Sequence, residues 1–237
     1  MKANVILAGV GGQGILSIAY CLCNAALKRG MNFKQAEVHG MAQRGGGVVS
    51  HLRISDQAIY SDLIPEGTAD LLLSVEPLEV LRYAQYLSPG GAVVASVTPV
   101  TNIPDYPALD GIVERITRFP QHCLVDGNHL GTVAGSGRAA NMVLLGAGGC
   151  RLGFSLAEFE PHVRALFHSK SQRVIDINCR ALQLGALAAK LYSEHVEAGR
   201  TPQEALQAVG EIPPAELTER AAAEAAASGG VTMSSGS

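Results

Sequence analysis

Short apolar runs alternate with stretches of helical periodicity along the first 150 residues. Residues 5–10 form an apolar run, and residues 14–29 follow with apolar side chains at helical spacing until Gly30, a residue typical of helix C-termini. Further strands are predicted at 32–38, 70–75 and 92–97, the last two apolar enough to be buried on both faces. This alternation predicts an α/β fold: a three-layer, mainly parallel, Rossmann-like sheet with a helical C-terminal portion.

Several shorter segments carry weaker signals. Residues 48–55 and 58–60 are predicted as two strands of a hairpin around Ser55-Asp56-Gln57, and residues 78–87 as a helix followed by a turn at 88–91. Residues 112–116 and 123–125 are also predicted as strands. Asp126 follows directly after the second, at the strand end where open α/β sheets bind ligands.

The second half of the chain is predicted to be helical. Residues 128–149 are rich in Gly, Ala and Ser, which predicts a helix wedged closely between elements or against a partner chain. A helix at 155–167 begins with a capping box, and the longest helix, 171–195, has one apolar stripe that fits the core or, alternatively, a subunit contact. We expect a domain at 1–196, then a helical extension and a disordered tail at 197–237.

The first strand ends in a glycine motif, Gly9-Val10-Gly11-Gly12-Gln13-Gly14, that opens into a helix. Glycines allow a tight turn, and the free N–H groups of a helix N-terminus attract anions, so the motif is a candidate phosphate cradle. The alternative is that the glycines serve only turn geometry and helix packing. Glu37 lies near the position where a dinucleotide site places its ribose-binding carboxylate.

A second glycine-rich loop follows the second predicted strand, over residues 39–47. His39 could belong to a site or make a structural hydrogen bond, and Arg44 could bind a phosphate or carboxylate or form a salt bridge that fixes the loop. Farther along, Asn141 could cap or satisfy the core, or contribute to the site. An ordinary nucleotide-binding half-domain does not need this second loop.

Composition narrows the classes of function. Apolar residues make up 47% of the chain and charged residues 16%, which favours association with other subunits, while the net charge of −3 argues against nucleic acid or an anionic membrane as partner. The five cysteines lack metal-binding spacing, which is typical of buried thiols in a reducing compartment. With neither a signal peptide nor a membrane span in the sequence, we expect a cytoplasmic protein.

The two glycine loops, together with Glu76-Pro77-Leu78-Glu79 and the segment Arg138 to Gly146, resemble the gamma domain of the pyruvate/2-oxoacid:ferredoxin oxidoreductases. The resemblance covers about residues 3–190 and is strongest for the beta subunits of the indolepyruvate enzymes. It implies a share in oxidative decarboxylation of a 2-oxoacid, with an aryl pyruvate such as indolepyruvate as substrate. The products would be an acyl-coenzyme A and electrons passed to ferredoxin.

The resemblance also implies a division of labour. Thiamine diphosphate, Mg and the Fe–S clusters are expected in a larger partner subunit, with ferredoxin reached through the complex and coenzyme A as a ligand shared with this chain. A hetero-oligomer is expected, with a homodimer as the state of the isolated chain, which would be inactive alone. No catalytic residue or metal ligand is assigned here. The candidate cofactor-binding residues are Gly9, Gly11, Gly12, Gln13, Gly14, His39, Gln43, Arg44, Gly45 and Asn141.

Two other functions remain open at this point. The chain could be an independent nucleotide-binding oxidoreductase that uses its N-terminal loop, or a structural assembly subunit whose glycine loops only pack against the partner. An independent enzyme would turn over alone, whereas a subunit would require its larger companion.

Overall fold

The computed structural model describes residues 1–39, 45–101 and 103–229. Its centre is a six-stranded sheet in the order β2-β3-β1-β4-β5-β6, in which β3 alone runs against the other five strands. Helices cover both faces, so the predicted three-layer, mainly parallel α/β fold is confirmed. The strands are β1 (Lys2–Val10), β2 (Asn32–His39), β3 (Gly47–Ser55), β4 (Ala69–Ser74), β5 (Leu87–Ser96) and β6 (Gln121–Val125).

Nine α-helices occur in the described part of the chain. Helices α1 and α5 pack on one face of the sheet, and α2 packs on β1, β4 and β5 beside α3. Helix α7 packs on α5 and on β6, α4 packs on α5 and α7, and α6 packs on α1 and α7. The helices are α1 (Ile15–Lys28), α2 (Pro77–Tyr83), α3 (Leu109–Ile116), α4 (Gly127–Ala134), α5 (Ala140–Gly149), α6 (Leu156–Leu166), α7 (Gln172–Glu197), α8 (Pro202–Gly210) and α9 (Pro214–Gly229).

The predicted hairpin at 48–60 is wrong in its second strand. Residues 58–60 form no strand, and β3 pairs instead with β2 on one side and β1 on the other, both antiparallel. The partners Asn32 and Ser55, at one end of the β2–β3 pair, are far apart in sequence, so the local turn signal at 55–57 could not reveal them. The hairpin therefore consists of β2 and β3, which follow one another in sequence on either side of the second glycine-rich segment.

Two further predictions need correction. Residues 112–116 belong to helix α3, because Leu109, Ile112, Val113 and Ile116 have helical spacing and their buried members face the core; a short apolar run does not distinguish helix from strand. Residues 88–91, predicted as a turn, lie within β5, where the register with β4 shifts and absorbs the extra residues. The predicted strand at 123–125 is confirmed within β6.

Helices α5 and α7 cross at unusually close range. Gly146 and Gly185 lie at the contact, and a Cβ on Gly185 would lie 2.7 Å from the carbonyl carbon of Val143. The single helix predicted over 128–149 is instead two helices, α4 and α5, interrupted at residues 135–139; every residue of α5 from Asn141 onward is buried. The stripe of α7 is core through Ala181, Leu184, Ala188 and Leu191.

The C-terminal extension contains two helices. Helix α8 begins with a capping box formed by Thr201 and Glu204, and α9 runs to residue 229. Leu217 and Ala221, one turn apart in α9, are fully buried against the body that includes α6 and α7. The predicted domain division at 196/197 stays a prediction, and residues 230–237 lie outside the described part.

Candidate functional site

The two glycine loops are joined through their backbones. The Gly11 N–H donates to the Gly46 carbonyl at 2.8 Å, and the Gly45 N–H donates to the Gly11 carbonyl at 3.4 Å. This contact follows from the register of β1 with β3, which places Val10 opposite Gly47 at the end of the sheet. Loops that are separate in sequence therefore form one surface.

Helix α1 opens on this surface with its amide groups available. Gly14, the residue before the helix, has φ 77°, a left-handed conformation that favours glycine, and Gly12 has φ 102°. Among the described residues, the N–H groups of Gly14, Ile15 and Leu16 have no hydrogen-bond acceptor. Because these groups carry the positive end of the helix dipole, the turn can receive an anion.

Gln13 has a structural role within the same turn. Its Oε1 accepts the Val10 N–H at 2.7 Å, and its Nε2 donates to the Val75 carbonyl at 3.4 Å, so the side chain ties the loop to the end of β4. Gly9 makes room for it, since a Cβ there would lie 2.9 Å from Gln13 Oε1. Gly9 and Gln13 thus shape the loop, and both polar atoms of the Gln13 side chain bond to backbone within the fold.

Asn141 holds the helix entrance from the other side. Its Nδ2 donates to the Gly14 carbonyl at 3.3 Å, and its Oδ1 accepts the Met142 N–H at 3.0 Å. The side chain is buried at the start of α5, and a Cβ on Gly14 would collide with it. The contact matches the capping alternative, and it also places Asn141 directly against the loop.

A basic cleft of about 400 Å³ lies on this side of the loop. Its lining joins Gly12, Gly14 and Asn141 to Arg138, which precedes α5, and to Lys170, between α6 and α7. The lining includes no carboxylate, and no carboxylate among the described residues pairs with either cation. The available amides and two cations make this cleft suited to phosphate.

A second cleft, of about 450 Å³, lies on the opposite side of the same turn. It is lined by Val10, Gly11, Ile15, Leu16 and Val48 together with the neighbouring glycines, and it is largely apolar. Leu16 is half exposed, and Tyr20, one turn farther along α1, is also exposed. The two clefts thus share the glycine turn, and they differ in charge: the lining of the second includes no charged side chain, whereas the basic cleft includes Arg138 and Lys170.

Two buried carboxylates lie at the end of β4, next to the second loop. Glu76 caps α2 by accepting the Glu79 N–H at 3.0 Å, and it also accepts the Tyr106 hydroxyl. Glu79 is 3% exposed, and a Cβ on Gly47 would lie 2.9 Å from its Oε2, an atom without a hydrogen-bond partner. Burial raises the pKa of Glu79 to about 6, while Arg82 opposes the shift and Glu76 reinforces it.

The structure thus brings together most of the predicted set. Gly9, Gly11, Gly12, Gln13, Gly14, Gly45 and Asn141 meet at the end of β1. His39 ends β2, while Gln43 and Arg44 lie outside the described residues, so their roles stay predictions. His51, the other histidine near the loops, accepts the Ile64 N–H through Nδ1 at 3.2 Å, and burial lowers its pKa.

Sequence reasoning missed three members of this neighbourhood. Arg138 and Lys170 reach the loop only through the packing of helices that are distant in sequence, so no local pattern predicts them as site residues. Glu79 could have been predicted from the sequence, because it forms a carboxylate pair with Glu76, three residues away, directly after a buried strand. Such a pair at the C-terminal end of a parallel strand indicates a site edge.

The topology disfavours a conventional dinucleotide site. In that arrangement the second strand lies beside the first, so that its terminal carboxylate reaches the ribose. Here β3 separates β2 from β1, and Glu37 pairs in register with Ser50, which in turn pairs with Leu7. Glu37 therefore lies two strand spacings, or about 10 Å, from β1.

The described residues do not form a metal site. All five cysteines are free, and burial raises the pKa of Cys21 and Cys23 to about 12, so neither is a ready thiolate ligand. No group of three or more His, Cys, Asp or Glu in the described ranges is arranged to hold a metal ion. These residues do not fit an iron–sulfur cluster. Within the same ranges, no helix has the length and apolar character needed to cross a bilayer.

Known proteins match most of the chain. The family model for pyruvate ferredoxin/flavodoxin oxidoreductase matches residues 4–188. Indolepyruvate oxidoreductase subunit IorB of Thermococcus kodakarensis is 38% identical over 195 residues, which cover 79% of this chain and 96% of that protein. IorB of Archaeoglobus fulgidus is 36% identical over 194 residues, covering 78% and 94% of the two chains.

A solved structure shares the fold. Pyruvate oxidoreductase subunit PORC from Thermotoga maritima has a TM-score of 0.60 at 23% identity, and the match covers 78% of this chain and 96% of that one. Fold and site together define an α/β domain with paired glycine loops around a helix N-terminus. The chain belongs to the pyruvate ferredoxin/flavodoxin oxidoreductase family, which confirms the resemblance seen in its sequence.

Proposed function

We propose that this chain is the gamma-type subunit of an indolepyruvate:ferredoxin oxidoreductase, which converts an aryl pyruvate to its acyl-coenzyme A and passes the electrons to ferredoxin. The observation that carries the proposal is the near full-length match to the IorB subunits, 96% of the Thermococcus protein. The paired loops, which underlie the sequence resemblance, lie within the matched region. The substrate assignment rests on these relatives.

The proposal includes a larger partner subunit that holds thiamine diphosphate, Mg and the Fe–S clusters. The buried thiols of this chain, with the raised pKa values of Cys21 and Cys23, support placing the clusters elsewhere. Exposed apolar side chains on α1, Leu16, Tyr20 and Leu27, support a hetero-oligomer, because such a stripe beside a site is typical of an interface. Alone, the chain is inactive.

Reconstitution tests this proposal. We expect the purified chain to show no oxidation of indolepyruvate, and the complex with its larger companion to reduce ferredoxin when indolepyruvate and coenzyme A are supplied. Turnover by the chain alone would contradict the subunit role and favour an independent oxidoreductase. A complex that oxidises only aliphatic 2-oxoacids would contradict the substrate assignment and leave the subunit role intact.

Within the complex, the basic cleft binds phosphate groups of coenzyme A. The supporting chemistry is the available α1 N-terminus together with Arg138 and Lys170. Arg44 belongs to the same proposal as the cation of the second loop. The chain would then position the thiol carrier, while the acyl group is generated in the partner.

Charge-removing substitutions test the coenzyme A site in the assembled enzyme. We expect Arg138→Gln with Lys170→Gln to raise the KM for coenzyme A at least tenfold, because each lost phosphate contact costs about 1–2 kcal/mol. Arg44→Ala is expected to add to the effect. Arg118→Gln, a cation in the turn after α3 that pairs with Glu114 outside this cleft, is the matched control.

The alternative is a structural assembly subunit whose glycine loops only pack against the partner. One observation favours it: the polar side-chain atoms of Gln13 and Asn141 form their hydrogen bonds within the fold. If the double variant and Gly12→Val both leave the KM for coenzyme A and the turnover unchanged, the loops serve packing and assembly alone.

A further inference from the structure

A pocket of about 460 Å³ lies at the carboxyl ends of β5 and β6, away from the glycine loops. Its inner wall is formed by Val97, Val125 and Asp126 at the strand ends, and its outer wall by α8. Open α/β sheets bind ligands outside the carboxyl ends of their strands, and this volume is typical of small-molecule sites. The position therefore suits a ligand.

Helix α8 lies beyond the region that the family model matches. That region ends at residue 188 in α7, whereas the pocket wall includes Gln203, Leu206, Gln207 and Val209. The shared domain contributes the strand ends, and the extension encloses them. The pocket is thus a feature that the family match does not account for.

The lining combines aliphatic and acidic groups. Leu124, Leu130, Leu206 and Val209 supply apolar surface, while the carboxylates are Asp110, Asp126 and Glu211. The lining includes no Lys or Arg. An anionic ligand would meet three carboxylates without a counter-charge, so this environment selects against anions.

The N-terminus of α4 in the wall offsets that selection little, because the Asn128 and His129 amides already have acceptors. Asp126 Oδ1 accepts the His129 N–H at 2.9 Å and the Thr98 hydroxyl at 3.1 Å. The Thr98 hydroxyl oxygen in turn accepts the Asn128 N–H at 3.4 Å. Both of these bonds to Asp126 use Oδ1, which leaves Oδ2 to accept from a ligand.

His129 supplies a further unused polar atom. Its side chain lines the pocket, and its Nε2 is buried with no hydrogen-bond partner. A buried polar atom without a partner is costly unless something binds it. Glu211, at the rim, accepts from Gln207 through Oε1 at 2.6 Å and is exposed to solvent.

We propose that this pocket binds a small amphipathic monocation, an aryl- or alkylammonium compound. The apolar body lies between Leu124, Leu130 and Leu206, and the ammonium group donates to Asp126 Oδ2 and is attracted by Glu211. The proposal follows from charge complementarity and does not depend on the function proposed above.

Calorimetric titration of the full-length chain tests the proposal with three probes of equal shape: 2-phenylethylammonium, 2-phenylethanol and 3-phenylpropionate. We expect binding of the cation, at least tenfold weaker binding of the alcohol and none of the anion, because a charge-assisted hydrogen bond contributes about 1.5–3 kcal/mol. Equal binding of all three probes, or no heat with the cation up to about 10 mM, would overturn the proposal.

Substitutions locate the binding. Asp126→Asn keeps an effective helix cap, because Asn and Asp cap about equally well, and should weaken cation binding at least fivefold. Glu211→Gln should weaken it by less, since Glu211 is exposed. Glu66→Gln, an exposed carboxylate far from the pocket lining, is the control for net charge. If Asp126→Asn folds normally by circular dichroism and binds like the wild type, the site is not here.

Discussion

Replacing Gly185 by alanine tests the close crossing of helices α5 and α7. The added Cβ would lie 2.7 Å from the carbonyl carbon and 2.9 Å from the Cα of Val143 on α5. Carbon atoms in van der Waals contact are about 3.5–4.0 Å apart, so the two helices must separate by about 1 Å. The colliding atoms are backbone, and no side-chain rotation can relieve the overlap.

The expected loss of stability combines two effects. Alanine is intrinsically better than glycine in a helix by about 1 kcal/mol, which favours the variant. Overpacking costs about 1–3 kcal/mol, and α5 is buried along its length, so the strain falls at the upper end of that range. We therefore expect Gly185→Ala to lower the free energy of unfolding by about 2 kcal/mol.

Urea unfolding of the full-length chain measures this difference against a matched control. Gly111 lies exposed in α3, with nothing within 4 Å of an added Cβ, so Gly111→Ala should be more stable than wild type by about 0.5–1 kcal/mol. Gly146→Ala strains the same crossing, since a Cβ there would lie 2.9 Å from the carbonyl carbon of Leu182 on α7, so the double variant Gly146→Ala/Gly185→Ala should cost less than the sum of the single variants. A Gly185→Ala protein as stable as Gly111→Ala would refute the close crossing.

Three other predictions concern stability. Because burial raises the pKa of Glu79 from 4.5 to about 6, wild type should lose about 2 kcal/mol relative to Glu79→Gln as pH rises through that window; parallel urea curves at pH 4.5 and 7 would contradict this. Hydrogen bonding to Arg29 lowers the pKa of Glu158 from 4.5 to about 2, so this pair should contribute about 1 kcal/mol above pH 4.5 and lose it as pH falls towards 2. Thermal unfolding of Arg29→Met and wild type across that range would show the difference narrowing on acidification, and a constant difference would exclude the ion pair. Leu217→Ala should cost about 2–4 kcal/mol in urea unfolding, while Glu219→Ala, exposed on the same helix, should cost little; equal stabilities would mean that α9 does not pack on the domain.

Much of the fold could be predicted from local sequence patterns. Three predicted features depend only on residues close together in sequence, and the structure has all three. They are the glycine turn after β1, the capping box of Ser155 and Glu158, and the regularly spaced apolar stripe of α7. Contacts between elements that are distant in sequence could not be predicted in this way. The insertion of β3 between β1 and β2 depends on register over the whole strand, and α3 depends on which face of a short apolar segment meets the core.

The candidate site shows the same difference between residues that a local pattern predicts and residues that tertiary packing brings in. The residues from Gly9 to Gly14 were identified because the turn needs them in sequence, whereas Lys170 and Arg138 approach the turn only after α5, α6 and α7 have packed. The burial of Glu79, and with it the raised pKa, is likewise a property of the assembled sheet end. Properties that depend on residues far apart in sequence are not predicted by local sequence patterns.

The reversed direction of β3 has a consequence for when the anion-receiving turn is assembled. β2 and β3 are consecutive and joined by a short segment, so they can pair early in folding. β1 must pair with β3 across some forty residues and with β4 across more than sixty. The turn after β1 is fixed by bonds to both sides, at Gly46 and Val75. The hydrogen-bonded amides of Val10, Gly11 and Gln13 should accordingly exchange with solvent as slowly as the sheet centre, and an isolated peptide of the first thirty residues should not reproduce the geometry of this turn.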